Sequence, residues 1–324
     1  LLENGAGASE HGQNKRTPLH FAAERGHGDM VSFLLQEHMG MINVVDDGGD
    51  TALHLASRCG HDGVVEVLLS YEDCVVNHKN AVGSTPLHEA IISGHTACIF
   101  QLLSHPAIDT SIGDSKDMTP LHFAVQLRDM STVRELVNAS SDVSLLMTQS
   151  REQETPLDMA ARLGHNECFR WMYGALQRQL PSDSVELKPG LAFTCSRFNN
   201  STLLVELVID DANATSWRNQ DFDDLILYAA RFGSSDCVEE LLSIKGVNRF
   251  DPFVQNEFED TPLHLAIVAD SGKTVQVLLK YAPHWGQVHK RDPLLITNLD
   301  GLSSVALAIR HGNIPIAEMI VDAA

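Results

Sequence analysis

Thr17-Pro18-Leu19-His20, followed by Phe21-Ala22-Ala23, opens a pattern that the chain repeats for most of its length. The same head returns as Thr51-Ala52-Leu53-His54, Thr85-Pro86-Leu87-His88 and Thr119-Pro120-Leu121-His122, each 34 residues after the last. It continues as Thr155-Pro156-Leu157-Asp158 and comes back late as Thr261-Pro262-Leu263-His264. Behind each head stands Ala-Ala or a relative, then often Gly-His, then two apolar pairs four residues apart. In the first unit these are Ala22-Ala23, Gly26-His27, Met30-Val31 and Leu34-Leu35; in the second, Ala56-Ser57, Gly60-His61, Val64-Val65 and Leu68-Leu69. Self-similarity at this period marks a repeat architecture.

Each position has a physical reading. A threonine at a helix N-cap accepts a backbone N–H, and proline fits the first helical position because its missing N–H would have no partner there. Leucine and alanine then make a short helix that lets a neighbour approach closely. Glycine ends it by taking a left-handed conformation. The second helix carries apolar residues at i, i+1, i+4 and i+5, a stripe to bury. The polar segment before each threonine, such as Asp46-Asp47-Gly48-Gly49-Asp50, reads as a turn at a hairpin tip.

This layout resembles the ankyrin repeat, whose signature is T-P-L-H-x-A. The resemblance extends over nearly the whole chain and implies an all-α solenoid of stacked helix-turn-helix units with projecting hairpin loops. Three further repeats keep the periodicity without the signature: one around Cys195, Arg197 and Leu203-Leu204, one around Ala229-Ala230 and Leu241-Leu242, one around Ala308 and Ile320-Val321. The expected array has about nine repeats, anchored near Thr17, Thr51, Thr85, Thr119, Thr155, Gly190, Asp224, Thr261 and Ser303. Residues 1–6 read as the tail of a preceding repeat, and the whole as a piece of a longer protein.

A formal charge of −20 disfavours sequence-independent binding to nucleic acid or an anionic membrane, both of which need a positive face. The six cysteines include no CxxC pair. No signal peptide and no apolar run of membrane-spanning length are present, so an intracellular, cytoplasmic location is expected.

The sixteen histidines would suggest a metal if clustered, but they fall one repeat apart. His20, His54, His88, His122 and His264 hold the fourth signature slot, and His27, His61, His95 and His165 follow the glycine. The expectation is that they tie adjacent turns together, with no metal and no cofactor. Cys98, Cys168 and Cys237 share one second-helix position and read as small buried hydrophobes. No nucleophile elbow, phosphate-cradling loop or kinase signature occurs, and no enzyme activity is expected of this region.

Ankyrin arrays bind partners along a concave side made of hairpin tips and first helices. What this resemblance implies is that the two positions between Ala-Ala and Gly-His are free to vary. Here they give Arg162-Leu163, Arg197-Phe198 and Arg231-Phe232 in three consecutive repeats, and Arg310 in the last. Arginine and aromatics dominate interface energetics, so these residues are the expected partner-binding stripe; the same arginines also suit a helix C-terminus, and the phenylalanines a neighbouring repeat. Acidic residues at the tips (Asp46, Asp47, Asp50, Asp114, Asp117, Asp221, Asp223, Asp224, Glu257, Glu259, Asp260) are either a solvated face or a means of steering a basic or amphipathic segment. Two insertions break the period, around Gln177 to Pro189 and from Lys280 to Gly301; the second holds Trp285 as a further candidate contact. The leading expectation is a scaffold or adaptor that holds a piece of another protein. Two other settings stay open: the cytosolic region of a TRP-type channel, and the substrate-recruiting part of a ubiquitin ligase or bacterial effector.

Overall fold

A short helix preceded by threonine and proline, then glycine, then a second helix, is the unit that the chain builds. In the computed structural model the described residues are 13–140, 143–179, 187–209, 211, 213–221, 223–244, 250–289 and 293–323. They form α1 (Pro18–Glu24) with α2 (Gly28–Glu37), α3 (Ala52–Cys59) with α4 (Asp62–Leu69), α5 (Pro86–Ile92) with α6 (Thr96–Ser104), and α7 (Pro120–Gln126) with α8 (Met130–Ala139). Next come α9 (Pro156–Leu163), α10 (Asn166–Gln179), α11 (Leu187–Arg197), α12 (Ser201–Val208), α13 (Leu225–Arg231) and α14 (Ser235–Ser243). The last are α15 (Pro262–Val268), α16 (Gly272–His289), α17 (Ser304–Arg310) and α18 (Ile314–Asp322). Among the described residues there is no strand, only one isolated antiparallel bridge between Thr297 and Ser303.

The chain divides into two compact units, Leu1–Ala160 with Glu167–Gln179, and Ala161–Asn166 with Leu180–Ala324. In the first, α1, α3, α5 and α7 stack in one layer and α2, α4, α6 and α8 in another. The second repeats the plan with α11, α13, α15 and α17 against α12, α14, α16 and α18. The stripe residues form the core: Leu19, Leu53, Leu87 and Leu121 are fully buried, as are Val31, Val65 and Leu68.

The signature histidine joins one repeat to the next. His54 Nδ1 accepts the Thr51 backbone N–H at 3.2 Å, and its Nε2 lies 3.0 Å from the Ser84 carbonyl of the following repeat. A carbonyl only accepts, so the proton sits on Nε2. His20, His88, His122 and His264 make the same pair of contacts, reaching the carbonyls of Asp50, Met118, Glu154 and Leu302. With both nitrogens engaged, each ring ties its own turn to the next repeat. Burial holds all five below the usual histidine pKa, hence neutral.

The histidine after glycine ties backward. His61 Nε2 donates to the Glu24 carbonyl and His95 Nε2 to the Arg58 carbonyl, each at 3.0 Å. Gly60 shows why glycine precedes it: φ is +76°, and a Cβ there would lie 2.5 Å from His95 Nδ1. The left-handed turn and the close ring both require the missing side chain.

Sequence and structure part at the two insertions. α10 runs to Gln179 and α11 starts at Leu187, so Gly190 lies inside a helix instead of at its cap. α16 continues through the stretch read as a loop, as far as His289. Residues 1–6, most of the first insertion and Lys290-Arg291 lie outside the described residues.

Candidate functional site

The ends of the first helices in the second unit bring together a row of cations and rings. Arg162 lies 6.0 Å from the Phe198 ring centre, Arg197 lies 5.3 Å from the same ring, and Arg197 also sits 5.2 Å from the Phe232 ring. Phe232 leans on Tyr228 at 4.9 Å, and Tyr228 meets Phe193 edge-on at 5.2 Å. These distances are within cation–π and aromatic-pair range. Phe232 is 43 % exposed, Leu163 36 %, Arg197 exposed and Phe198 half-buried. Tyr228 and Phe193 were not singled out by sequence; Tyr228 stands four residues after the N-cap Asp224, where Glu89 stands after Thr85.

Periodicity produces the row. The residue closing each first helix recurs at one azimuth of the stack, so consecutive repeats place Arg162, Arg197 and Arg231 in one file, with Leu163, Phe198 and Phe232 in the next. At this position of the repeat the arginines have different employments. Arg58 donates to Asp50 at 2.7 and 3.0 Å and to Glu89 at 2.8 Å, inside the first unit. Arg231 holds Asp223, whose side chain is fully buried, at 2.6–2.8 Å. Arg310 pairs with Asp300 at 3.1 Å. Arg197 has no carboxylate partner among the described residues and is left with its two rings. Arg231 therefore serves the fold first, because removing it would strand a buried charge. Trp285 falls within α16, and its side chain lies outside the described residues.

The hairpin tips are less available than their acidity suggests. Asp46 accepts the Gly48 and Asp50 backbone N–H groups and the Arg16 guanidinium. Asn80, Asn219, Asn256 and Asn298 turn their own hairpins the same way. Tips are also stitched by backbone, Ala81 N–H to Gly48 carbonyl at 2.8 Å and Ser115 N–H to Val82 carbonyl at 3.0 Å. Asp46, Asp50, Asp223 and Asp224 are buried; Asp47, Asp117, Asp221, Glu257 and Glu259 face solvent. Asp224 caps α13, accepting Leu227 N–H at 3.0 Å, and burial raises its carboxyl to about 6.

Other features are structural. Cys98, Cys168 and Cys237 are buried, and burial raises their thiols. Among the described residues no group of three His, Cys, Asp or Glu is placed to hold a metal ion, and no helix is long and apolar enough to cross a membrane. A shallow groove of about 410 Å³ opens between α4 and α6, walled by Leu69, Phe100 and Pro106.

The family model described as ankyrin repeats (3 copies) matches residues 1–80, 87–179, 192–292 and 225–324. No curated protein matches the chain. With signature, caps, inter-repeat histidines and family match in agreement over most of its length, the chain belongs to the ankyrin repeat family, whose repeats are generally protein–protein interaction modules.

Proposed function

We propose that this chain is a scaffold or adaptor, and that its second unit holds a segment of another protein across the first-helix ends formed by Arg162, Leu163, Arg197, Phe198 and Phe232. The observation that supports this reading is the stacked row itself. It joins exposed apolar surface to guanidinium groups already held over aromatic rings, so less side-chain entropy remains to be lost on binding. In the first unit the same slots hold Arg58, committed to Asp50 and Glu89, and expose Ile92 and Leu127, apolar but without rings. The solvent-facing acids Asp221, Glu257 and Glu259 favour a segment with basic residues flanking the part that meets the row.

Peptide-display selection on the full chain tests this reading, with Leu163→Ser/Phe232→Ser in parallel. The expected result is a family of peptides retained by the wild type and lost from the double variant, whose melting temperature changes little. Equal retention by both forms would overturn the assignment.

A further inference from the structure

Arg197 occupies a slot in which other arginines are bound to acids of their own chain, and the sequence shows why it is not. Arg58 finds Asp50 eight residues upstream, and Arg231 finds Asp223 at the same interval. Eight residues before Arg197 stands Pro189, inside α11, because that helix begins at Leu187 where the others begin after a hairpin tip. The second partner of Arg58 is Glu89, 31 residues downstream; the residue 31 after Arg197 is Tyr228. Both carboxylates that engage Arg58 are thus replaced, one by proline and one by an aromatic ring. Arg197 lies instead over the Phe198 and Phe232 rings, its Cζ 5.3 and 5.2 Å from their centres. Neither ring supplies a carboxylate, which a planar guanidinium matches with two parallel hydrogen bonds.

We infer that Arg197 is the anchor for an acidic side chain of the bound segment, with an apolar neighbour of that acid seated on the exposed part of Phe232. The inference rests on the surface proposed above and adds the chemistry of its occupant. A net charge of −20 works against gathering an acidic partner from a distance, so recognition acts at contact range. The acid must arrive beside apolar surface, which brings it within reach of Arg197.

The test uses the full chain and a random peptide-display library, with Arg197→Gln and Arg197→Lys in parallel and the fold of each variant checked by circular dichroism. Peptides enriched on the wild type should carry Asp or Glu next to Leu, Ile or Phe. A synthetic copy of the best one should bind Arg197→Gln about tenfold more weakly, the equivalent of one charge-assisted pair. The same peptide with its acid changed to the amide should lose about tenfold on the wild type and nothing further on Arg197→Gln. Arg197→Lys should fall between, since an ammonium keeps the charge but not the fork. Independent, additive losses would overturn the pairing. Enriched peptides without acids, still lost from Leu163→Ser/Phe232→Ser, would overturn this inference and leave the surface standing. No enrichment over bare support would overturn both.

Discussion

The two units stack helices to the same plan with different side chains at the seams. In the first, the forward ties are imidazoles from His20, His54, His88 and His122, and the backward ties are His61 and His95. In the second, Asn200 donates to the Ala161 carbonyl at 2.8 Å, Ser234 to the Arg197 carbonyl at 3.4 Å, and Ser271 to the Gly233 carbonyl at 3.3 Å. His264 keeps the imidazole form in the forward tie. What the stack requires is a donor aimed at one backbone carbonyl of the neighbouring repeat, because a buried carbonyl without a partner is expensive. Imidazole, amide and hydroxyl all meet that need. Where histidines and acids leave the seam, as between α11 and α13, rings and an arginine without a carboxylate partner among the described residues take their place.

Several substitutions would break or sharpen this contrast. The largest effect is expected at Arg231. Arg231→Gln leaves the buried Asp223 without its cation and should cost about 3–5 kcal/mol, read as a fall in the denaturation midpoint of the second unit by segment-resolved hydrogen exchange. Gly60→Ala should cost about 3 kcal/mol, from the left-handed backbone plus displacement of His95. Gly312→Ala, with φ +71° and open space around it, should cost only about 1 kcal/mol. Equal costs would mean that ring contact at the first-unit seams contributes nothing.

Acid should separate the units by sign. The buried histidines have pKa values below their unfolded value, so the unfolded chain takes up protons first. Their contribution is complete above about pH 6.5 and is lost as pH falls below it. Four of the five lie in the first unit. Asp224 has the opposite sense. Its carboxyl titrates at about 6 when folded, from a reference of 3.8, so its penalty is full above pH 6 and is relieved as pH falls towards 3.8. Asp224→Asn keeps the cap and removes the charge; it should stabilise the second unit at pH 8 by up to about 3 kcal/mol. Hydrogen exchange at pH 7.5 and 5.5 should show the first unit losing protection more than the second, and parallel losses would refute the assignment.

His95→Ala and Asn200→Ala form a matched pair, both backward ties in the same slot. Each removes a tie to a neighbouring carbonyl, and each should cost about 2 kcal/mol. A much larger cost for His95 would show that the imidazole, and not the slot, carries the seam. The smallest effect on stability is expected at Arg197, where Arg197→Gln gives up only two cation–π contacts, about 1 kcal/mol together.

The fold was legible because Thr-Pro-Leu-His places the cap, the first turn and the inter-repeat tie in four adjacent residues. The second unit was legible only by period, since Asn200 and Ser234 carry no signature that marks them as ties. The row at Arg162, Arg197 and Phe232 could be named in advance from slot alone. Its inequality could not: that Arg231 is committed to Asp223 while Arg197 has no carboxylate partner among the described residues depends on contacts across eight residues and across a seam, and on α11 starting early. The acidic tips misled in the same way, since charge in sequence does not distinguish Asp46, turned into its own hairpin, from Asp47 beside it in solvent.

The most direct test of the proposed surface is hydrogen exchange of the full chain with and without a saturating peptide from the selection described above. The account predicts new protection in the segments containing Arg162–Leu163, Arg197–Phe198 and Phe232, with the first unit unchanged. Protection confined to the first unit, or to the groove between α4 and α6, would contradict it.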